Sequence, residues 1–546
     1  MTYNKLKLNT MPFLRKEKKG NATYLRIVQS YRSDDGKSKH RTLYNLGKAE
    51  NYSPEALKKI GVTLYWLGGG SIEELESNQL HEICRYNYGF VQIVRKLLKV
   101  YKLDSFLESI SKNKGLGFSM TDSITLLLSE RLHDPVSKHA SYTNQRDYLG
   151  IPHIELQWIY RSLDYLYDNQ EPVKRIIYNK GRNLFNQELD VVFYDVTTFY
   201  FDSSIEDGFR EKGFGKDGKI GKTIIVFGML IDQNKQPVGY EVYRGKQYEG
   251  HTFTDALERL KKKYQIGKII CVADTGMMNK DNIKEVQESD YEYIFGERLR
   301  SMARNIQNEV LDLSKYKKLK VTDITEGKEI EILYYVTGYK GKRLISTYSS
   351  KRAAKDKAER DEKIERAKSF IANPSSLDKK AKTFFLKKDK KSRYSLDIEK
   401  IKRSERFDGF MTIATNNRVL STADVLGAYK QLYKIEQSFR TFKTFLETRP
   451  MFHWTEHRIL GHLALCYISF TLLNYLQLQL QKQGTSQSEN QIRKALVKMQ
   501  MSLISQDQKQ YYLRSKTPEH AKQILKVLSI REIPDLIPKK ALNQYV

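Results

Sequence analysis

At 546 residues the chain is too long for one simple core and suits two to four domains, with 40% hydrophobic and 11% aromatic residues to fill them. The 94 Lys and Arg outnumber the 65 Asp and Glu and leave a net charge of +29. That surplus suits a polyanionic partner, because lysine and arginine displace counterions condensed on phosphates. Cys84, Cys271 and Cys466 lie far apart with no CxxC pair, which argues against a disulfide framework or a zinc site and for a reducing cytoplasm. Met1-Thr2-Tyr3-Asn4-Lys5 lacks the apolar core of a signal peptide. The longest apolar run, Leu463 to Leu476, is about 14 residues against the roughly 20 of a membrane span, so it reads as a buried helix.

In chain order, residues 22–47 alternate like a small sheet around the polar turn Ser33 to Lys37. From about 53 to 180 the period is helical. One stripe is Val91, Ile93, Val94, Leu97 and Leu98, and another is Ile124, Leu126, Leu127 and Leu128. Val191 to Val196 is a short apolar strand bearing Asp195 at its C-terminal end. Strands Thr223–Ile231 and Val238–Arg244 follow, joined by Asp232 to Pro237, and a helix from Thr254 to Tyr264 leads into Lys268 to Asp274. This order begins a mixed α/β sheet.

Residues 301–405 read as an insertion outside the sheet: extended stretches such as Ile330 to Thr337 flank a charged helix, Lys351 to Phe370. Lys379 to Lys391 holds seven lysines, which as point charges suit phosphates rather than bases. Strand Phe410–Thr415 then precedes one long helix from about Ala423 to Thr448, ended by Arg449-Pro450.

Asp195 and Asp274, both at ends of apolar strands, are placed for function, and a hard divalent cation would compensate their desolvation. Each also suits a turn or a helix cap. On the long helix, Leu432, Ile435, Phe439, Phe442 and Leu446 form the buried stripe. Tyr429, Tyr433, Glu436, Arg440 and Lys443 form a second stripe about 100° away, which puts Glu436 at the rim of the buried face. The plainer reading of Glu436 is an i,i+4 pair with Arg440 on a solvated face. His453, His457 and His462 are spaced poorly for a metal and suit structural or DNA-contacting roles. Trp454 suits packing, with base stacking as the alternative. Gly213 to Lys219 lacks the Gly-Lys-Ser/Thr ending of a phosphate loop.

These residues together resemble the DDE transposases of bacterial insertion sequences, in the group with a Tyr-Arg-Glu-Lys signature, and look like insertion-sequence family 1634. The signature reads Tyr429, Leu432, Glu436, Lys443 at intact spacing. It departs in having Leu432 where the signature has arginine, a contact for which Arg440 is the nearest substitute. The aspartates match as Tyr194-Asp195-Val196-Thr197-Thr198 and Ala273-Asp274-Thr275-Gly276-Met277-Met278. Glu447 to His453, Arg458 to His462 and the opening Tyr24 to Gly47 extend the likeness over nearly the whole chain.

The resemblance implies an α/β fold: a ribonuclease H-like catalytic domain (186–300 and 406–482) interrupted by a mainly β insertion (301–405). An N-terminal β element (1–52), a helical DNA-binding region (53–185) and a C-terminal helical region (483–546) complete the division. It further implies Asp195, Asp274 and Glu436 as catalytic ligands of two Mg²⁺ ions, with Mn²⁺ able to substitute, and Tyr429, Arg440 and Lys443 as DNA contacts. The partners implied are terminal inverted repeats and target DNA, bound by a homodimer or larger assembly in the cytoplasm, associated with the nucleoid and not with a membrane. Two alternatives stay open: a nuclease of the same fold that cuts without joining, and an inactive transposase-derived repressor.

Overall fold

The computed structural model describes residues 11–33, 36–70, 80–185, 191–213, 221–246, 258–259, 270–273, 291–322, 329–372, 385–388, 394–506 and 509–545. They form two compact units, one of residues 1–83 with 503–511 and one of 84–502 with 512–546.

In the first unit, strands β1 (Phe13–Lys19), β2 (Ala22–Arg32) and β3 (Ser38–Lys48) make an antiparallel sheet. The alternation of residues 22–47 anticipates β2 and β3 but not β1, whose Phe-Leu-Arg-Lys-Glu-Lys-Lys run is charged and almost wholly exposed. Helix α1 (Pro54–Leu67) starts where the helical period begins. Ser53 caps it by accepting from Ala56 N, and Pro54 supplies a pre-set φ at the first position.

The second unit opens with helices α2 (Gly89–Tyr101), α3 (Leu103–Asn113), α4 (Met120–His133), α5 (Lys138–Asn144), α6 (Leu156–Asp168) and α7 (Gln170–Phe185). Both predicted apolar stripes are buried, and they pack against each other where α2 meets α4.

The sheet centres on β4 (Val191–Tyr200). Beside it lies the antiparallel hairpin β5 (Thr223–Asp232) and β6 (Pro237–Arg244), whose turn is fixed by Asp232 Oδ1 accepting from Asn234 N and Gln236 N at 2.7 and 2.8 Å. On the other side β7 (Ile270–Ala273) and β8 (Glu292–Glu297) run parallel to β4. The sheet does not stop there. Strands β9 (Lys317–Thr322), β10 (Glu329–Tyr339) and β11 (Lys342–Tyr348) continue it, joined through β12 (Phe410–Thr415) to β8 in the order β9-β10-β11-β12-β8-β7-β4-β5. Residues 301–405 therefore do not stand outside the sheet as their composition suggested. They are not mainly β either: helix α8 (Ser350–Ala372) leaves the sheet after β11, flanked by the shorter helices Arg304–Val310 and Ile398–Glu405. The sequence misleads here because β9 and β10 lie at the sheet's margin and are rich in lysine and glutamate, as exposed strands are.

Helix α9 (Thr422–Lys430) follows, closed at its start by a Ser421–Asp424 capping box. Helix α10 (Tyr433–Arg440) comes next, then a π-helical turn Thr441–Phe445. The single helix expected from 423 to 448 is thus three pieces, broken at Gln431–Leu432 and finished three residues before Thr448. Helix α11 (Glu456–Lys482) is long and apolar enough to cross a membrane, which the 14-residue estimate missed, but its apolar stretch is wholly buried in protein. Packed on it are α4 and α6, where Gly461 of α11 meets Leu163. The C-terminal stretch is not simply helical: α12 (Glu489–Val497) and helix Glu519–Val527 alternate with strands Gln500–Gln506, Lys509–Arg514 and Leu536–Pro538.

Candidate active site

Asp195 lies in the middle of β4, opposite Met229 of β5, and not at a strand end as expected. The strand runs on through Val196-Thr197-Thr198-Phe199-Tyr200, β-branched and aromatic residues that pack well on a pleated, buried surface. Tyr194 and Val196 are buried, whereas Asp195 is half-buried on the opposite pleat, with Oδ1 accepting from Val196 N at 2.7 Å. Parallel to this strand, β7 ends at buried Ala273, and its register sets Val272 beside Phe193. Asp274 is the next residue and lies outside the described residues. So do most of the expected helix Thr254–Tyr264, of Gly213–Lys219 beyond Gly213, and of the lysine run beyond Phe385–Lys388.

Helix α10 packs directly against β4. Ile435, Ser438 and Phe439 face inward, and Phe439 meets the edge of Phe227 of β5 with ring centroids 6.4 Å apart. Glu436 is exposed beside that buried face, the rim position that the stripe analysis anticipates. The plainer alternative does not form: among the described residues Glu436 makes no ion pair or side-chain hydrogen bond, with Arg440 or with any other group. A carboxylate on β4 and another on the helix covering β4 are hard oxygen donors of the kind that Mg²⁺ or Mn²⁺ selects, so this pair fits a divalent cation. Among the described residues no group of three ligands is complete.

The three expected DNA contacts do not share one cavity. Tyr429, on α9 before the break, lines a cavity of about 540 Å³ with Glu297 and Thr412. Arg440 lines another of about 400 Å³ with Lys235 and Arg493, and Lys443 sits half-buried in the π-helical turn. That turn is held from outside: Arg493 Nη2 donates to Phe445 O at 2.7 Å and Arg131 Nη1 to Leu446 O at 3.0 Å, while the Arg493 guanidinium lies 3.8 Å from the Phe445 ring centroid. Thr448 Oγ1 turns the chain back by donating to Phe442 O. Glu447 therefore stands beyond the helix with φ of +42°, not inside the single helix from about Ala423 to Thr448 that the sequence pattern implied.

Of the aromatic residues downstream, His457 and His462 pack against protein, and Trp454 departs from expectation. His462, spaced badly for a metal, is buried with Nε2 3.6 Å from Cys466 Sγ. His457 stacks on Tyr167. Trp454, expected to pack, is 62% exposed with the Arg210 guanidinium 5.3 Å from its ring. Burial, reinforced by Lys138 and Arg131, pushes His453 down to about 3 and His462 well below its ordinary value. The unfolded chain then takes up protons from about pH 6.5 downward while the folded chain does not, so stability is full above that pH and falls as pH drops toward 3. At pH 5 the His453 share is at most about 2 kcal/mol. Urea midpoints measured at pH 7.5 and pH 5 should show this loss, and His453→Leu should shrink it. An equal pH response in wild type and variant would assign the loss elsewhere.

A model of the transposase DDE domain matches residues 186–469, more than half of the chain, which therefore belongs to the DDE transposases. It is an enzyme of DNA cleavage and phosphoryl transfer. A model of the N-terminal domain of IS1634 family transposases matches residues 14–62, and the chain is a DDE transposase of that family. Among solved structures, a piggyBac transposase synaptic complex with hairpin DNA aligns over 84% of this chain and 82% of its own at 10% identity and a TM-score of 0.35. A Mos1 transposase paired-end complex with left transposon end aligns over 35% of this chain and 57% of its own, at 13% identity and a TM-score of 0.15. Likenesses this weak do not define the fold. No curated protein matches the chain.

Proposed function

We propose that Asp195, Asp274 and Glu436 are the metal-binding catalytic carboxylates of a transposase that cuts the ends of an insertion sequence and joins them to target DNA. The observation that carries this reading is the packing of α10 on β4, which sets an exposed, unpaired Glu436 on the element covering the Asp195 strand. The order β6-β5-β4-β7-β8, an antiparallel hairpin beside parallel strands, supports a ribonuclease H-like core. Residues 186–300 and 406–482 supply that core, and 301–405 extend it. Two bound Mg²⁺ ions would supply an activated water or DNA 3′-hydroxyl and a stabilised leaving oxygen. The protein's own part is to hold three carboxylates at fixed places and to neutralise phosphates through Arg440 and Lys443, with Tyr429 able to donate a hydrogen bond to DNA. Incubation with a terminal-repeat duplex and Mg²⁺ should give nicked and then joined products. Nicks without joining would favour a plain nuclease, and binding without either a repressor.

Recognition of the terminal repeats is assigned to residues before 185, outside the core strands, and synapsis of two ends to at least two chains working in the cytoplasm. A surface of net charge +29 that releases counterions from DNA gives an affinity that falls linearly on a log–log plot against salt. With six or more phosphate contacts the loss between 50 and 200 mM salt is about a thousandfold. Fluorescence anisotropy of labelled end DNA measures it, and a flat salt response would remove the electrostatic basis of this assignment.

A further inference from the structure

Of the described residues between 11 and 83, only Leu25 and Val28 are buried. The same stretch holds twelve of the twenty large hydrophobic side chains that are exposed among the described residues. A small sheet with so little of its own core needs a further packing surface, and apolar side chains gathered in one exposed place mark where another molecule sits.

Six of the twelve are on α1: Leu57, Ile60, Val62, Leu64, Trp66 and Leu67. No residue of this helix is buried, and only Ala56 and Tyr65 are partly covered. A helix of 14 residues is marginal in water unless an apolar face is packed on something.

The pattern on the helix indicates what that something is. Leu57, Ile60, Leu64 and Leu67 follow at gaps of three, four and three, the spacing by which one helix lays a seam along another. They are 38%, 40%, 55% and 69% exposed. Val62 and Trp66 stand on the opposite face. Beside the seam, where a partner helix would run, are Ala56, Gly61 and Thr63, small and uncharged, while Glu55, Lys58 and Lys59 point away from it. DNA is a poor occupant, because the seam offers no cation to a phosphate. The basic side chains of this unit lie instead on its strands, as in Arg15, Lys16, Lys18 and Lys19 of β1. A second α1 suits the seam: it brings the same apolar residues at the same intervals, and no like charges meet across a twofold axis.

We propose that α1 is the surface through which two copies of this chain pair, seam against seam, with the basic strands of each copy left to one DNA end. This pairing gives the synapsis of two ends a physical basis and rests on that reading, but its test reads mass and needs no cleavage.

Sedimentation equilibrium of the full chain, without DNA and across the micromolar range, should show monomer and dimer in exchange. Leu64→Glu sets like charges face to face and should weaken the dimer about a hundredfold. Leu64 is exposed, so the fold and the anisotropy of a single labelled end should hold. Lys59→Glu, off the seam, should leave the dimer unchanged. Mixing Leu64→Glu with Leu64→Lys restores the dimer if the helices run parallel, and mixing it with Ile60→Lys restores it if they run antiparallel. A chain monomeric throughout, a Leu64→Glu dimer as tight as wild type, or restoration by neither mixture would overturn the proposal. So would loss of thermal stability by Leu64→Glu at unchanged mass, which would assign the face to a segment of the same chain. Binding to phospholipid vesicles that Leu64→Glu removes at unchanged mass would assign it to a lipid surface. A dimer that forms while no end DNA binds would sink the DNA-acting reading and leave the pairing standing.

Discussion

Asp195→Asn should abolish Mg²⁺-dependent cleavage while end DNA still binds. The substitution keeps the shape of the side chain, and the acceptor for Val196 N remains, so β4 is not disturbed. What would be lost is one of the three carboxylates proposed to hold divalent cations, and an amide oxygen binds Mg²⁺ far less well than a carboxylate. A metal pair contributes several kcal/mol of charge stabilisation in the transition state. A loss of about 4 kcal/mol is a thousandfold in rate, and a decrease of that size or more is expected. Glu436→Gln and Asp274→Asn should behave alike, because each would remove one carboxylate from the same set. Glu447→Gln should stay active, since Glu447 stands beyond the helix in a left-handed conformation. Phosphate contacts come from cations, so anisotropy with end DNA should change little. The decisive measurement is the rate of end nicking in excess Mg²⁺. Robust nicking by Glu436→Gln would remove the assignment of that residue.

The second large effect is on stability. Gly461→Ala should cost roughly 3 kcal/mol or more, at or beyond the upper end of ordinary overpacking. A Cβ at this position would lie 2.1 Å from Leu163 O and 2.8 Å from Leu163 C. Both are backbone atoms of α6 and cannot swing aside as a side chain would. Relief requires α11 to move off α6, which would open the contact between Ile459, Leu463 and the Ile159, Leu163, Leu166 face. Urea unfolding of the variant beside wild type measures the cost. Gly427→Ala is the control, because nothing lies within 4 Å of its added Cβ and it sits inside α9. That substitution should be neutral or mildly stabilising. Equal midpoints for Gly461→Ala and wild type would show that the helices have room to spare.

These two glycines illustrate how unevenly the sequence discloses the structure. The buried stripes of α2 and α4, the hairpin of β5 and β6 and the charged α8 are readable because periodicity and turn residues are local signals. Glu436 is readable as a rim residue for the same reason: Ile435 and Phe439 mark the buried side. Asp195 is a different case. Its strand continues past Val196 through the β-branched and aromatic run Thr197 to Tyr200, so the carboxylate does not mark the strand's end. The break at Gln431–Leu432 and the π-helical turn leave no mark in the apolar spacing, because Leu432, Ile435, Phe439 and Phe442 suit one helix or three pieces equally well. Strand β1 offers little apolar alternation, and β9 to β11, which include the extended stretch Ile330 to Thr337, bear no local sign that they join the sheet. Their order is set by backbone pairing with neighbours distant in sequence, which no local pattern carries.

The clamp on the helix carrying Glu436 has a consequence for the making of the protein. Leu446 O receives a donor from Arg131, 315 positions earlier, and Arg493, which holds Phe445 O, also reaches back 361 positions to Leu132 O. The end of the helix carrying Glu436 is therefore tied to both an early and a late part of the polypeptide. While synthesis proceeds from the N-terminus, every strand of the sheet can emerge from the ribosome before Arg493 does. Long-range closures of this kind are slow steps in folding. The helix end stays without one of its two anchors until nearly the whole polypeptide exists, so a prematurely terminated product can carry all three carboxylates and still lack the brace that steadies one of them.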